Sequence, residues 1–304
     1  VASATRERVM RVAGELDYIP HGAARSLSTK RTDTIGVLLP DLYGEFFSEL
    51  IRGVDLAARA RGLHLLLSSS HGDPQEAIAA LRSMRSRVDA VIVMLPNAGE
   101  DLVLSKAGGS VPIVLLGRGG AAGQPSFAID NFSGALAITR HLESLGRRRI
   151  AFVAGPAGNI EARERLRGYR AAISESALPE RVVKGDFTES SGREAARALV
   201  AGDGTDAIFC ANDMMAIGCL DVLQQSGVNV PGDIAVAGFD DIPVARYVSP
   251  PLTTAAVPIA EIGRQALQCC IDRIAGREGA GGRIFTPQVV VRASSGRTSR
   301  GSVP

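Results

Sequence analysis

The chain has 304 residues, 34 of them basic and 32 acidic, for a net charge of +2. That length allows a sizeable core divided into two or more lobes, and so small a net charge does not by itself announce nucleic acid. No apolar run approaches the roughly 18 residues of a membrane-spanning helix.

Residues 1–33 hold six arginines and lysines against four acids, so all the excess positive charge lies there and residues 34–304 balance to zero. The N-terminus, VASATRERVM, has no apolar core after its charges and is not a signal peptide, which favours a cytoplasmic protein. Ser3 or Thr5 can cap a helix carrying Val9, Val12 and Leu16 on one stripe. One such helix cannot form a domain and reads as the last helix of a small bundle.

From Tyr18 to Pro40 a small-residue segment with a lone leucine passes through a polar, basic connector into a strand. Pro20 is compatible with a helix starting just after it. The stretch from His21 to Leu27 is too short and too weakened by glycine to be stable alone, which suits a segment that folds on binding or an ordinary linker.

Beyond Thr34, short apolar runs alternate with helix-period segments. Strands are predicted at 35–39, 63–67, 90–95, 113–116, 127–129, 150–154, 182–183, 207–210 and 234–238. Helices are predicted at 47–61, 75–84, 134–145, 162–174, 192–201 and 214–226. Continuous apolar strands separated by helices indicate parallel sheets covered on both faces. The alternation runs in two series, before and after about residue 131, which predicts an α/β fold of two doubly wound lobes with a ligand at the strands' carboxyl ends. A helix at 259–275 and a strand at 289–292 are expected to cross between the lobes. The polar tail 294–304 is expected to be disordered.

Several ordered segments resemble the lactose/galactose repressor (LacI/GalR) family of bacterial transcription regulators. They are TRERV, DYIP, AARSL and TIGVLLPD near the start, then EFFSELIRGV (45–54), VDAVIV (88–93), IDN (129–131), RLRGY (165–169), ANDMMAIG (211–218), GFDDI (238–242) and PLTT (251–254). The resemblance implies a helix-turn-helix headpiece with its remnant at 1–19, and a hinge helix and linker at 20–33. It also implies a periplasmic-binding-protein-like core, with one lobe at 34–131 plus about 258–286 and the other at 132–257 plus about 287–293.

In the hinge, the resemblance assigns DNA contact to Ala23, Ala24, Arg25, Leu27 and Lys30. The alanines allow close approach, the cations meet phosphates, and Leu27 wedges into the minor groove. The implied effector residues are Phe46, Phe47, Asp130, Arg165, Asn212 and Asp240. Carboxylates accept from hydroxyl pairs, an amide both donates and accepts, a guanidinium forks onto oxygens, and a phenyl face packs on a sugar ring. Read singly, Phe46 and Phe47 are equally core residues, Asp130 a helix cap and Asp240 a turn residue.

The intact protein is expected to be a homodimeric repressor of operator DNA that senses a small sugar or sugar derivative, with a nucleobase as the competing effector. Its dimer contacts are expected on exposed apolar faces around 77–88 and 214–223, near 247–252. A stand-alone periplasmic-type sugar-binding protein is the rival function. No catalytic, metal or cofactor site is expected. The four cysteines, Cys210, Cys219, Cys269 and Cys270, sit in apolar surroundings without ligand spacing. The glycine-rich stretch after 116 is followed by no helix to receive a phosphate.

Overall fold

The computed structural model describes residues 3–16, 31–97, 100–109, 111–117, 123–202, 204–277 and 281–296. The five hinge positions, Ala23, Ala24, Arg25, Leu27 and Lys30, lie outside those ranges. Helix α1 (Ser3–Glu15) is described, and its stripe of Val9, Val12 and Leu16 faces solvent.

The first lobe alternates β1 (Thr34–Leu39), α2 (Glu45–Arg59), β2 (His64–Ser69), α3 (Pro74–Met84), β3 (Ala90–Met94), α4 (Glu100–Ala107), β4 (Ile113–Leu116) and β5 (Ser126–Ile129). The second comprises α5 (Asn131–Ser144), β6 (Ile150–Val153), α6 (Ile160–Glu175), β7 (Val182–Val183), α7 (Glu189–Ala201), β8 (Ala207–Cys210), α8 (Asp213–Gln225), β9 (Ala235–Asp240) and β10 (Thr253–Ala256). The chain then returns to the first lobe through α9 (Ile259–Ile274) and β11 (Gly282–Phe285), and ends in the second with β12 (Gln288–Val290).

The first sheet, ordered β11-β5-β4-β3-β1-β2, is parallel throughout. The second, β12-β10-β9-β8-β6-β7, is parallel except for β12. Strand β1 is buried along five of its six residues because helices cover both faces. Helix α2 crosses α9 so closely that a Cβ on Gly53 would sit 2.0 Å from the Ala260 carbonyl oxygen. The second lobe's core is built around Phe152, with Tyr169 stacked at 5.1 Å and Phe209 edge-on at 5.0 Å.

The chain crosses between lobes three times, after β5, β10 and β11. Two of these crossings are tied together, since Asp130 N donates to Phe285 O, and at the other Val257 N donates to the carbonyl of Asp240 at the end of β9.

Three expectations change. The tail does not loosen at Ser294, which is fully buried. Its hydroxyl accepts from Thr253 N and donates to Val236 O, while its own carbonyl accepts from Val236 N. Ser295 lies between His141 and Thr253. Hydroxyls and backbone pairing anchor this segment without any apolar side chain.

The faces expected to be exposed for dimerisation are instead consumed inside the chain. Ala77, Ile78, Leu81, Met84 and Val88 form a second core cluster beside β1, β3 and β4. In α8, Met215, Ala216, Cys219, Leu220 and Leu223 are buried against the second sheet. At 247–252 Tyr247 does stand well out, 79% exposed. Helix α4 and strands β10 and β11 have no counterpart among the predicted elements.

Candidate functional site

Between the lobes, at the carboxyl ends of both sheets, lies a cleft of about 550 Å³ including its open mouth. This is the place and size at which doubly wound folds take small ligands. Pro40, Phe46, Phe47, Met94 and Ile129 line it from the first lobe, and Glu161, Arg165, Phe187, Asn212 and Asp240 from the second. Five of the six sequence-predicted residues therefore converge. Asp130 does not. It caps α5, its carboxylate accepting from Ser133 N, and it faces a separate recess beside Phe132 and Ile284.

Phe46 and Phe47 follow the turn after β1 and meet edge to face at 5.5 Å, giving the cleft an apolar wall. Arg165, on the second turn of α6, is 5% exposed and committed in every direction. Its Nε donates to Asn131 Oδ1 at 2.7 Å and its Nη1 to Ala211 O at 2.5 Å. Its guanidinium lies 3.9 Å from the centre of the Phe239 ring. Its Nη2 lies 3.0 Å from Asp240 Oδ1. That oxygen is buried and held by Arg165, while the Asp240 carboxylate as a whole lines the cleft.

Burial lifts the Asp240 carboxyl to about 6, with Arg165 pulling it down and Glu161 pushing it further up. The backbone turns sharply here, with Asp240 at φ 110° and its neighbour Asp241 at φ 55°. The two carboxylates consequently diverge, and Asp241 pairs at 2.6 Å with Arg292 on the far side. Beneath them Asp213 is wholly buried, accepting from Thr254 Oγ1 at 2.6 Å and Ile242 N at 3.0 Å. Burial, reinforced by Asp240, holds its carboxyl well above the ordinary range. Asp213 thus fixes the turn that aims Asp240.

Asn212 caps α8 through Met215 N and donates from Nδ2 to the Phe187 carbonyl at 2.9 Å. Phe187 sits at φ 74°, a region unfavourable for a bulky residue, with its ring packed so tightly on Gly155 that a Cβ there would lie 2.5 Å away. Sequence reasoning missed Phe187, because no local motif surrounds it. Glu161, also in the cleft, accepts from Asn131 Nδ2. Across the mouth, Ile160 N donates to Pro96 O at 2.8 Å and Asn97 pairs with Asn159, so the two lobes touch through backbone. Among the described residues no cluster of His, Cys, Asp or Glu is arranged to hold a metal ion, and no helix is long and apolar enough to cross a membrane.

Comparison with known proteins places this cleft in context. Residues 139–295 match the periplasmic binding protein-like domain family. The HTH-type transcriptional repressor PurR of Aliivibrio fischeri is 34% identical over 97% of this chain and 90% of its own length. The HTH-type repressor CytR of Escherichia coli K12 is 31% identical over 97% of this chain and 89% of its own.

Among solved structures, the regulator CelR in complex with cellobiose superposes with a TM-score of 0.75 at 33% identity, covering 97% of this chain and 91% of that one. The lac repressor dimer, bound to operator and the anti-inducer ONPF, gives a TM-score of 0.86 at 26% identity, with 98% and 92% coverage. Likeness that spans both lobes, the crossings and the cleft shows that this chain belongs to the LacI family of ligand-responsive transcriptional repressors.

Proposed function

We propose that the chain senses a small sugar or sugar derivative in the interlobe cleft and passes that signal to operator DNA as a cytoplasmic homodimer. The observation that carries the ligand reading is the Asp240 carboxylate, held by Arg165 in the lining of a cleft that Phe46 and Phe47 also line. A carboxylate held this way accepts from a ligand hydroxyl, while Phe46, Phe47 and Phe187 take the carbon face of a ring. Asp240 and Asn212 remain the direct contacts in this reading. Arg165 acts by holding Asp240, and Asp130 by starting α5.

The protein acts by binding rather than catalysis: Asp240 and Asp241 point apart, and neither is paired with a nucleophile. The ligand changes the relative populations of lobe arrangements through its different affinity for each. The change reaches DNA through the hinge positions Ala23, Ala24, Arg25, Leu27 and Lys30.

A nucleobase is the second reading, favoured by the three phenylalanines, which suit a flat heteroaromatic ring as well as a sugar. Calorimetric titration with mono- and disaccharides beside purines, pyrimidines and their nucleosides decides the matter. Binding of a carbohydrate that Asp240→Asn abolishes supports the first reading. A nucleobase that binds while every sugar fails replaces it with the second.

A further inference from the structure

The end of the first lobe opposite the cleft is basic, though the residues that make it so are scattered along the chain. Helices α2, α3, α4 and α9 all run back from the cleft and finish at that end, each with a cation in its last turn: Arg59, Arg82, Lys106 and Arg273. Arg61, Arg85 and Arg87 follow in the connecting turns.

A helix's negative carboxyl end attracts cations, so the arrangement has an ordinary explanation. The second lobe argues against it as the full account. Its helices α6, α7 and α8 have no basic residue in the last turn, and α5 has only His141. At that end the second lobe has arginines in the turn after α5, where Arg147 is bound to the backbone carbonyls of 231–233 and Arg149 pairs with Asp206.

Two further facts give the first-lobe rim a direction. Arg59, Arg82, Arg85, Arg87 and Lys106 are exposed, form no ion pair with a described carboxylate and share one end of the lobe, whereas the unpaired, exposed Arg148, Arg163 and Arg197 of the second lobe lie on three separate segments. The chain also enters the core through this face. Asp89, two residues beyond Arg87, accepts from Thr32 N at 2.7 Å, Thr32 Oγ1 at 2.8 Å and Asp33 N at 2.9 Å. That carboxylate is therefore occupied in pinning the linker, and the arginines are left around the point where it emerges.

We infer that this rim is a duplex-DNA contact surface of the core itself, meeting phosphates without reading bases. Cations gathered at the end of the lobe where the linker enters suit a rod of closely spaced phosphates, and such contacts position a protein on DNA without specifying sequence. The inference rests on the regulator reading for the direction of the DNA. It goes beyond that reading because it gives the ligand-binding core its own affinity for the duplex.

The test compares two variants of equal charge change in the 304-residue chain. One is Arg59→Ala/Arg85→Ala/Arg87→Ala at the rim. The other is Arg148→Ala/Arg163→Ala/Arg197→Ala, three exposed second-lobe arginines outside any described ion pair. Binding to a labelled random-sequence duplex of about 30 bp is followed by fluorescence anisotropy from about 50 to 200 mM KCl, the range over which phosphate binding is titrated by salt. Thermal melting confirms that both variants are folded.

The rim variant should reduce the slope of log K against log [KCl] by about three, close to one for each phosphate no longer neutralised, and the control should leave it unchanged. Equal reductions in both variants would reduce the effect to net charge and overturn the proposal. So would an unchanged slope in the rim variant, or no duplex binding by the parent at about 50 mM KCl. None of these outcomes touches the regulator reading, which stands on kinship and the cleft.

Discussion

Asp240 makes effector binding dependent on protons. In the free cleft its carboxyl is raised to about 6, first by burial and further by Glu161, against the opposing pull of Arg165. A ligand hydroxyl that donates to the Asp240 carboxylate needs that group ionised, and by donating it returns the group toward its ordinary range. The sign follows. Above about pH 6 the carboxylate is ready, and below it each bound ligand must displace a proton, so affinity falls as pH falls through about 6.

At about pH 5 roughly nine-tenths of the free cleft is protonated, and the apparent Kd should rise about tenfold over its value at about pH 8, equivalent to about 1.4 kcal/mol. Titration calorimetry with the binding sugar, in paired buffers of different ionisation enthalpy, reads both the affinity and the protons released. Asp240→Asn should bind more weakly at every pH and lose the dependence. Constant affinity across that range in the parent, or the same slope retained in Asp240→Asn, would sink the assignment.

Three further outcomes follow from packing. Gly53→Ala drives a methyl into the Ala260 carbonyl and should destabilise the fold by about 3 kcal/mol in urea unfolding; less than about 1 kcal/mol would show that α2 and α9 can part. Ser294→Ala leaves Thr253 N and one acceptor site of Val236 O without the hydroxyl and should cost about 1–3 kcal/mol, measured the same way. Asn212→Asp keeps the α8 cap but sets a carboxylate oxygen against Phe187 O, so effector affinity and thermal stability should both drop; Asn212→Ala should lose the cap and the donor without that repulsion, with about 1 kcal/mol of stability going with the cap.

The sequence was legible where one physical cause dominates. Continuous apolar runs such as Ile35–Leu39 show as buried strands because nothing but a doubly covered sheet accepts them. β10 was invisible for the opposite reason. Thr253 and Thr254 are fully buried, but through hydrogen bonds to Arg292, Ser295 and Asp213, which no hydropathy pattern registers. β11 is an edge strand, open enough that Ile284 is exposed.

Within the cleft, motif spacing found Arg165 and Asp240 but not their partnership, and it did not separate Asp130 the cap from a ligand-binding carboxylate. Phe187 stayed hidden because its left-handed backbone is set by Asn212 and Gly155 from other segments. The basic rim was averaged away, since residues 34–304 balance to zero as a whole and only the fold sorts their charges by end.

The triple crossing bears on the order in which the protein can be made. The first lobe's core is completed by Ile259, Ile262, Ala266 and Leu267 of α9, and its sheet by β11, residues translated only after all of the second lobe except β12 and the segment through Ser295. During synthesis β1 to β5 must wait, with the α9 face of their sheet uncovered, while the second lobe leaves the ribosome. That lobe, contiguous but for β12 and the strap through Ser295, has most of its sheet in hand first. A nascent chain of this repressor is therefore expected to gain its C-terminal lobe before its N-terminal one, against the usual direction of folding.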